Sequence, residues 1–141
     1  MVEIDPAVSD TAATQAAFGL ALETLANCVV VAGKREGTER LAACVVLATT
    51  RADINGLVRR LLDVRKASFL PAARAVELTG MEYGGITPIG LPPGWPVLVD
   101  RRVIVTDVVI IGSGVRHSKL MVPGAFLGRF PDVQVVDGLG L

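Results

Sequence analysis

Apolar and polar positions follow a two-residue period in some stretches of this chain and a helical period in others, and the changes of period mark its elements. Residues 2–5 alternate as a short strand does. Ser9 or Asp10 is placed to cap an alanine-rich helix that runs to Phe18 and stops at Gly19. Residues 27–32 and 41–48 are β-branched and apolar, which predicts a hairpin joined by a long, charged loop over 33–40. Behind Thr50 and Asp53, the residues Ile54, Leu57, Val58, Leu61 and Leu62 fall at helical spacing with Arg59 and Arg60 on the other side. That helix ends near Asp63. Residues 66–69 read as a short strand, and Pro71 opens a helix through Leu78 that Gly80 closes. The prolines of 92–96 form a rigid turn into a strand at 97–100, with further strands at 107–112, 119–122 and 133–136 and a helix at 125–130. Strands and helices interleave irregularly, so the expected fold is α+β: a mixed sheet or open barrel with helices packed outside it. No repeat, linker or low-complexity segment divides residues 1–141, which are expected to form a single domain.

A length of 141 residues with 51% hydrophobic content is enough for a substantial core. Lysine plus arginine and aspartate plus glutamate balance at 14 each, so a broad basic surface is excluded and any nucleic acid must be gripped locally. DNA binding is not expected. Apolar runs such as 108–111 are far too short to span a bilayer, and residues 1–5 lack the basic and apolar regions of a secretion signal, so the chain reads as cytoplasmic with no membrane partner. Cys28 and Cys44 each sit inside an apolar run and read as buried free thiols. With one histidine, these cysteines cannot close a four-ligand zinc site, and neither a metal nor a cofactor is implied.

The chemistry-bearing candidates lie elsewhere. Residues 79–91 hold four glycines and a proline, either as an ordinary multi-turn loop or as backbone exposed for close approach. Gly112-Ser113-Gly114 follows a strongly apolar strand pattern, and the two glycine clusters are placed to line one cavity. His117 falls in the polar turn Arg116-His117-Ser118-Lys119 and reads as a solvated histidine rather than a general base. No phosphate-loop pattern is intact. Lys34, Arg35, Arg40, Arg116 and Lys119 flank the strands, either to contact phosphates or as solvated charges, whereas Lys66, in a partly apolar segment, either points into a cavity or snorkels from a strand end.

Taken together, these segments resemble the YbaK/EbsC family, the prolyl-tRNA-synthetase-associated editing domain. Thr79-Gly80 followed by Gly84-Gly85-Ile86-Thr87-Pro88-Ile89-Gly90 looks like the family's T-G-x(3)-G-G-[IV]-[ST]-P-[FIVL]-G signature. Pro96-Val97-Leu98-Val99-Asp100 is similar to its apolar strand ending in aspartate, and Ile111-Gly112-Ser113-Gly114 to its late glycine turn. The resemblance implies a curved mixed sheet closing towards a barrel with helices around it, and hydrolysis of the ester of a wrongly charged aminoacyl-tRNA without a cofactor. A hydrophobic synthetase pocket separates amino acids that differ by one methylene by only about 1–3 kcal/mol, which is why a second sieve is needed. The partner implied is the acceptor end of an aminoacyl-tRNA, with a synthetase or a second copy of the chain as further partners.

The same resemblance implies the site. Backbone N–H groups at Gly85 and Gly112 would stabilise the oxyanion, with Gly84, Ile86, Thr87, Pro88, Gly90, Asp100, Ser113 and Gly114 on the substrate. The family's segment I-A-K-[ST]-L-V is matched by Leu25-Ala26-Asn27-Cys28-Val29-Val30, so Asn27 stands at the catalytic lysine position, and Lys34 or, preferably, Lys66 is expected to supply the cation. The chain also begins directly with the strand at residue 2, without the leading helix common in the family, which is either truncated or replaced by a partner chain. The expected activity is a trans-editing deacylase for a small amino acid. The alternatives are a non-catalytic aminoacyl- or nucleotide-binding module that has lost the lysine, and a structural protein of the same fold.

Overall fold

Strand β2 (Ala26–Arg35) and strand β3 (Thr38–Leu47) form a continuous hairpin in the computed structural model, which describes residues 2–3, 24–82, 85–92, 94–115, 118–130 and 132–141. Glu36 and Gly37 turn the chain with φ of 52° and 80°. Two positive φ values in succession are those of a type I′ turn, whose twist matches the flanking strands. The polar stretch expected as a long loop is therefore strand. Its charges find partners beside the ladder: Arg35 pairs with Asp63 at 2.7 Å, Arg40 donates to the Leu62 carbonyl at 2.8 Å, and Arg74 grips both oxygens of Glu39 at 2.8 Å. An exposed strand end tolerates such residues, so composition conceals it.

Among the described residues the hairpin centres a five-stranded sheet of order β4-β2-β3-β5-β8, where β4 is Ala67–Phe69, β5 is Val97–Asp100 and β8 is Val133–Val136. The β2–β3 and β2–β4 pairs are antiparallel, while β3–β5 and β5–β8 are parallel. A smaller antiparallel sheet of order β1-β7-β6 joins Val2–Glu3, Ser118–Pro123 and Val108–Gly112. One parallel bridge, Leu25 to Ile110, ties it to the edge of β2. The result is the mixed α+β arrangement expected, with the two sheets joined at a corner and no closed barrel. The predicted helix after residue 9 lies outside the described residues.

Strand alternation gives the large sheet two different cores. Val31, Cys44 and Val46 face Ile54, Val58 and Leu62 on one side. Val45, Val97 and Val99 face Val109, Ile111 and Leu127 of the small sheet and its neighbours on the other. Further along that second face, Val30 packs with Leu70 and Ala75, the latter from the helix Ala72–Thr79, which ends on Gly80 as expected.

The segment after β3 opens with a wide π-type turn, Ile54–Val58, before the α-helical turn Arg59–Leu62. Asp53 caps it by accepting from the N–H groups of Gly56 and Leu57, both at 3.1 Å, whereas the Thr50 hydroxyl donates to the Leu47 carbonyl. A short helix at Arg101–Ile104, absent from the pattern reading, begins on Asp100.

Cys28 sits opposite Val45 and Cys44 opposite Val29, so the two thiols occupy opposite faces of the hairpin and both are free. Burial pushes the Cys44 thiol from the ordinary 9.0 up to about 12. Burial, and secondarily Cys44, raises Cys28 as well. The folded chain thus keeps both thiols protonated where the unfolded chain ionises, so their contribution is complete below about pH 9 and is lost as the pH rises. Above pH 9 the loss should reach about 1.4 kcal/mol per pH unit for each thiol. Urea unfolding between pH 7 and 10.5 should show a smaller alkaline loss in the Cys28→Ala/Cys44→Ala variant, and equal losses would contradict the assignment.

Candidate active site

The corner where the two sheets meet positions the site. The parallel bridge between Leu25 and Ile110 lies two residues before Asn27 on one chain and two residues before Gly112 on the other. A Cβ on Gly112 would lie 2.6 Å from the carbonyl oxygens of Gly85 and Ile86, and one on Gly85 would lie 2.6 Å from the Val115 carbonyl. The two glycine clusters therefore meet backbone to backbone, at a separation that no side chain permits. Hydrogen bonds lock the contact: Gly114 N–H donates to the Gly85 carbonyl at 2.7 Å, Gly85 N–H to the Glu82 carbonyl at 2.9 Å, and Glu82 N–H to the Gly114 carbonyl at 2.9 Å. The structure thus brings Gly85 and Gly112 together through the main chain, with the N–H groups of Gly85 and Gly114 engaged inside the protein.

The remaining signature residues serve varied positions. Ile86 packs against the cluster of Val30 and Leu70. Thr87 is 2% exposed, its N–H reaches the Met81 sulfur at 3.4 Å, and its hydroxyl oxygen has no hydrogen-bond partner. Pro88 is buried, and Gly90 is exposed with φ of 84°. The Ser113 and Ser118 hydroxyls lie 2.6 Å apart. Gly84 and His117 are outside the described residues.

Asp100 is buried at the end of β5, and both its oxygens bind main chain. One accepts from Arg102 N–H at 3.1 Å, and the other from Gly140 N–H at 2.9 Å. It thereby fastens the segment 139–141, which pairs with 51–53 through Arg51 N–H to the Leu141 carbonyl, Leu141 N–H to the Arg51 carbonyl and Asp53 N–H to the Leu139 carbonyl.

That pairing holds Arg51 over the face of the sheet on which Asn27 points. Asn27 sits opposite Val46, and with Thr50, Arg51, Asp53 and Asn55 it lines an open cleft of about 540 Å³. Val29, Val46 and Phe69 form its apolar walls. Asp53 is already committed to capping the following turn, which leaves Arg51 as the cation facing the cleft among the described residues. None of the described signature residues at 85–91 or 112–114 lines it. Lys66 opens instead into a neighbouring cleft of about 460 Å³ with Lys34 and Arg65, on the other side of Phe69. Sequence reasoning missed Arg51. The signal was available in the hairpin register, because a tight turn at 36–37 carries the chain past Asn27 and back over it at 48–52, whereas a long loop leaves that register undefined.

Among the described residues no three side chains of the metal-ligating types converge, and no helix is long and apolar enough to cross a membrane.

A family model for the aminoacyl-tRNA editing domain matches residues 5–130. The crystal structure of a hypothetical protein, APE2540, aligns with 100% of this chain and 89% of its own at 23% identity and a TM-score of 0.86. That of a candidate trans-editing enzyme for prolyl tRNA synthetase aligns over 96% and 83% of the two chains at 22% identity and a TM-score of 0.79. At such identities the likeness establishes the fold. No curated protein matches the sequence.

Because Gly85 and Gly112 allow no Cβ, Gly85→Val and Gly112→Val should each cost at least about 1–3 kcal/mol. Gly128→Ala, whose methyl would meet nothing closer than 3.5 Å, should melt near the parent. Unchanged thermal midpoints in both valine variants would contradict the close contact.

Proposed function

The chain belongs to the aminoacyl-tRNA editing domain family, and from that premise we propose that it is a cytoplasmic trans-acting deacylase that hydrolyses the ester of a misacylated tRNA carrying a small amino acid. The observation that carries the reading is that Asn27, at the position where the family's lysine is expected, shares one cleft with a cation, Arg51. The ester carbonyl lies against the Asn27 carboxamide, whose N–H groups donate to the oxygen as negative charge develops there. Arg51 supplies the fixed positive charge that asparagine lacks, as a planar fork suited to a carbonyl or phosphate oxygen. Water attacks the carbonyl carbon, the bond from carbon to the ribose oxygen breaks, and the proton lost by the water passes to that oxygen. Free amino acid and intact tRNA leave. Val29, Val46 and Phe69 bound the space for the amino-acid side chain.

In this mechanism Gly85 and Gly112 act by fixing the end of β2 under Asn27, and Ile86, Thr87 and Pro88 act as the buried support of that wall. Asp100 acts through Gly140, whose segment carries Arg51. A second reading, a non-catalytic aminoacyl- or nucleotide-binding module, is favoured by the absence of an ammonium at position 27.

Release of free amino acid from a panel of misacylated tRNAs tests the proposal. The parent should deacylate at least one member, and Asn27→Ala or Arg51→Ala should each lower kcat/KM by about a hundredfold. A panel that survives excess protein intact would sink it. Gain of activity in Asn27→Lys over an inert parent would establish the binding module instead.

A further inference from the structure

We propose that the second cleft, at the β2–β4 edge of the sheet beside the helix Ala72–Thr79, is the track for the single-stranded 3′ end of the tRNA, with Lys34, Arg65 and Lys66 on its phosphates and Phe69 stacked on a base. The identity of the RNA rests on the deacylase reading, whereas the groove itself rests on its own geometry.

Four cations, Lys34, Arg65, Lys66 and Arg74, line this cleft against a single carboxylate, Glu39. Both oxygens of Glu39 are taken by Arg74 at 2.8 Å, so Lys34, which faces Glu39 across the hairpin and acts on it electrostatically, forms no ion pair among the described residues. Arg65 and Lys66 form no ion pair among the described residues either. The antiparallel register of β2 and β4 runs from Val31↔Phe69 to Gly33↔Ala67, and Lys34 and Lys66 each follow directly on its last pair and line the same cleft. Like charges gathered in one cleft repel one another. An anion between them removes that cost, and a phosphodiester is an anion that can thread an open groove and meet Arg65 next. The chain is neutral overall, so this surplus is local.

Phe69 turns a general anion site into one for single-stranded nucleic acid. It is 59% exposed, it is the residue common to both clefts, and its register opposite Val31 puts it on the Asn27 face of the sheet. A base stacked on this ring is sequence-tolerant recognition. Lys34 alternates to the face of β2 opposite Asn27, so the next nucleotide rounds the edge strand β4 at Phe69 and delivers its 3′ ester to Asn27 and Arg51, while the preceding phosphates remain over Lys34 and Lys66. A duplex presents no free base face to the ring.

The test is the anisotropy of a short labelled RNA ending in CCA, titrated with parent protein across a range of salt. Three phosphate contacts on a single strand predict a slope of about −2 in log K against log salt. Lys34→Ala/Lys66→Ala should flatten that slope to about −1 or less. Phe69→Ala should weaken binding by about five- to a hundredfold at every salt concentration, and Phe69→Trp should restore it. Variants that lose RNA binding while no aminoacyl-tRNA is deacylated would leave the groove standing and remove the deacylase reading. Deacylation with parental KM and salt slope in the lysine and Phe69 variants would overturn the groove. Equal affinity for duplex RNA, or for polyglutamate regardless of Phe69, would also overturn it, the latter in favour of an acidic protein surface.

Discussion

A buried strand must find hydrogen-bond partners on both edges, and β2 meets that requirement in an unusual way. Along one edge it runs the full length of β3, while along the other it is served first by β6 at Leu25 and then by β4 at Val31–Gly33. Two short strands from different sheets therefore share one edge, and the corner between the sheets lies at the change of partner. Asn27 falls at that change. It shares a cleft with the segment 50–55 and follows the bridge to the smaller sheet by two residues, so the candidate site is a consequence of how an edge is satisfied.

Much of this architecture was legible as periodicity. The strands at 97–100, 108–112 and 133–136 and the helix ending on Gly80 follow from apolar runs and punctuation that nothing in the tertiary structure overrides. The tight turn at Glu36-Gly37 was not legible, because charge in 33–40 resembles a loop until Asp63 and Arg74 are seen beside it. That single misreading hid the hairpin register, and with it the approach of Arg51 to Asn27. The helix at Arg101–Ile104 was hidden for a related reason: its start is a buried aspartate that pattern reading assigns to the preceding strand.

Of the candidate site, pattern identified the residues better than their neighbours. Gly85 and Gly112 lie in separate segments and meet backbone to backbone, an approach that composition suggests only as glycine content. Lys66 illustrates the opposite limit. Its segment was correctly read as strand-like, yet the residue's place before β4 sends it to the far side of Phe69, a distinction set by pairing and not by local sequence. Net charge is similarly uninformative, since equal numbers of acids and bases say nothing about where Lys34, Arg65 and Lys66 gather.

The contact between Gly85 and Gly112 consists of main chain and is indifferent to the side chain carried by the neighbouring strand. A scaffold closed in this way separates heredity of shape from heredity of reaction. The motif that makes such chains recognisable as kin can persist unaltered while position 27 exchanges one functional group for another, so new chemistry can be tried on this architecture without first solving the folding problem again.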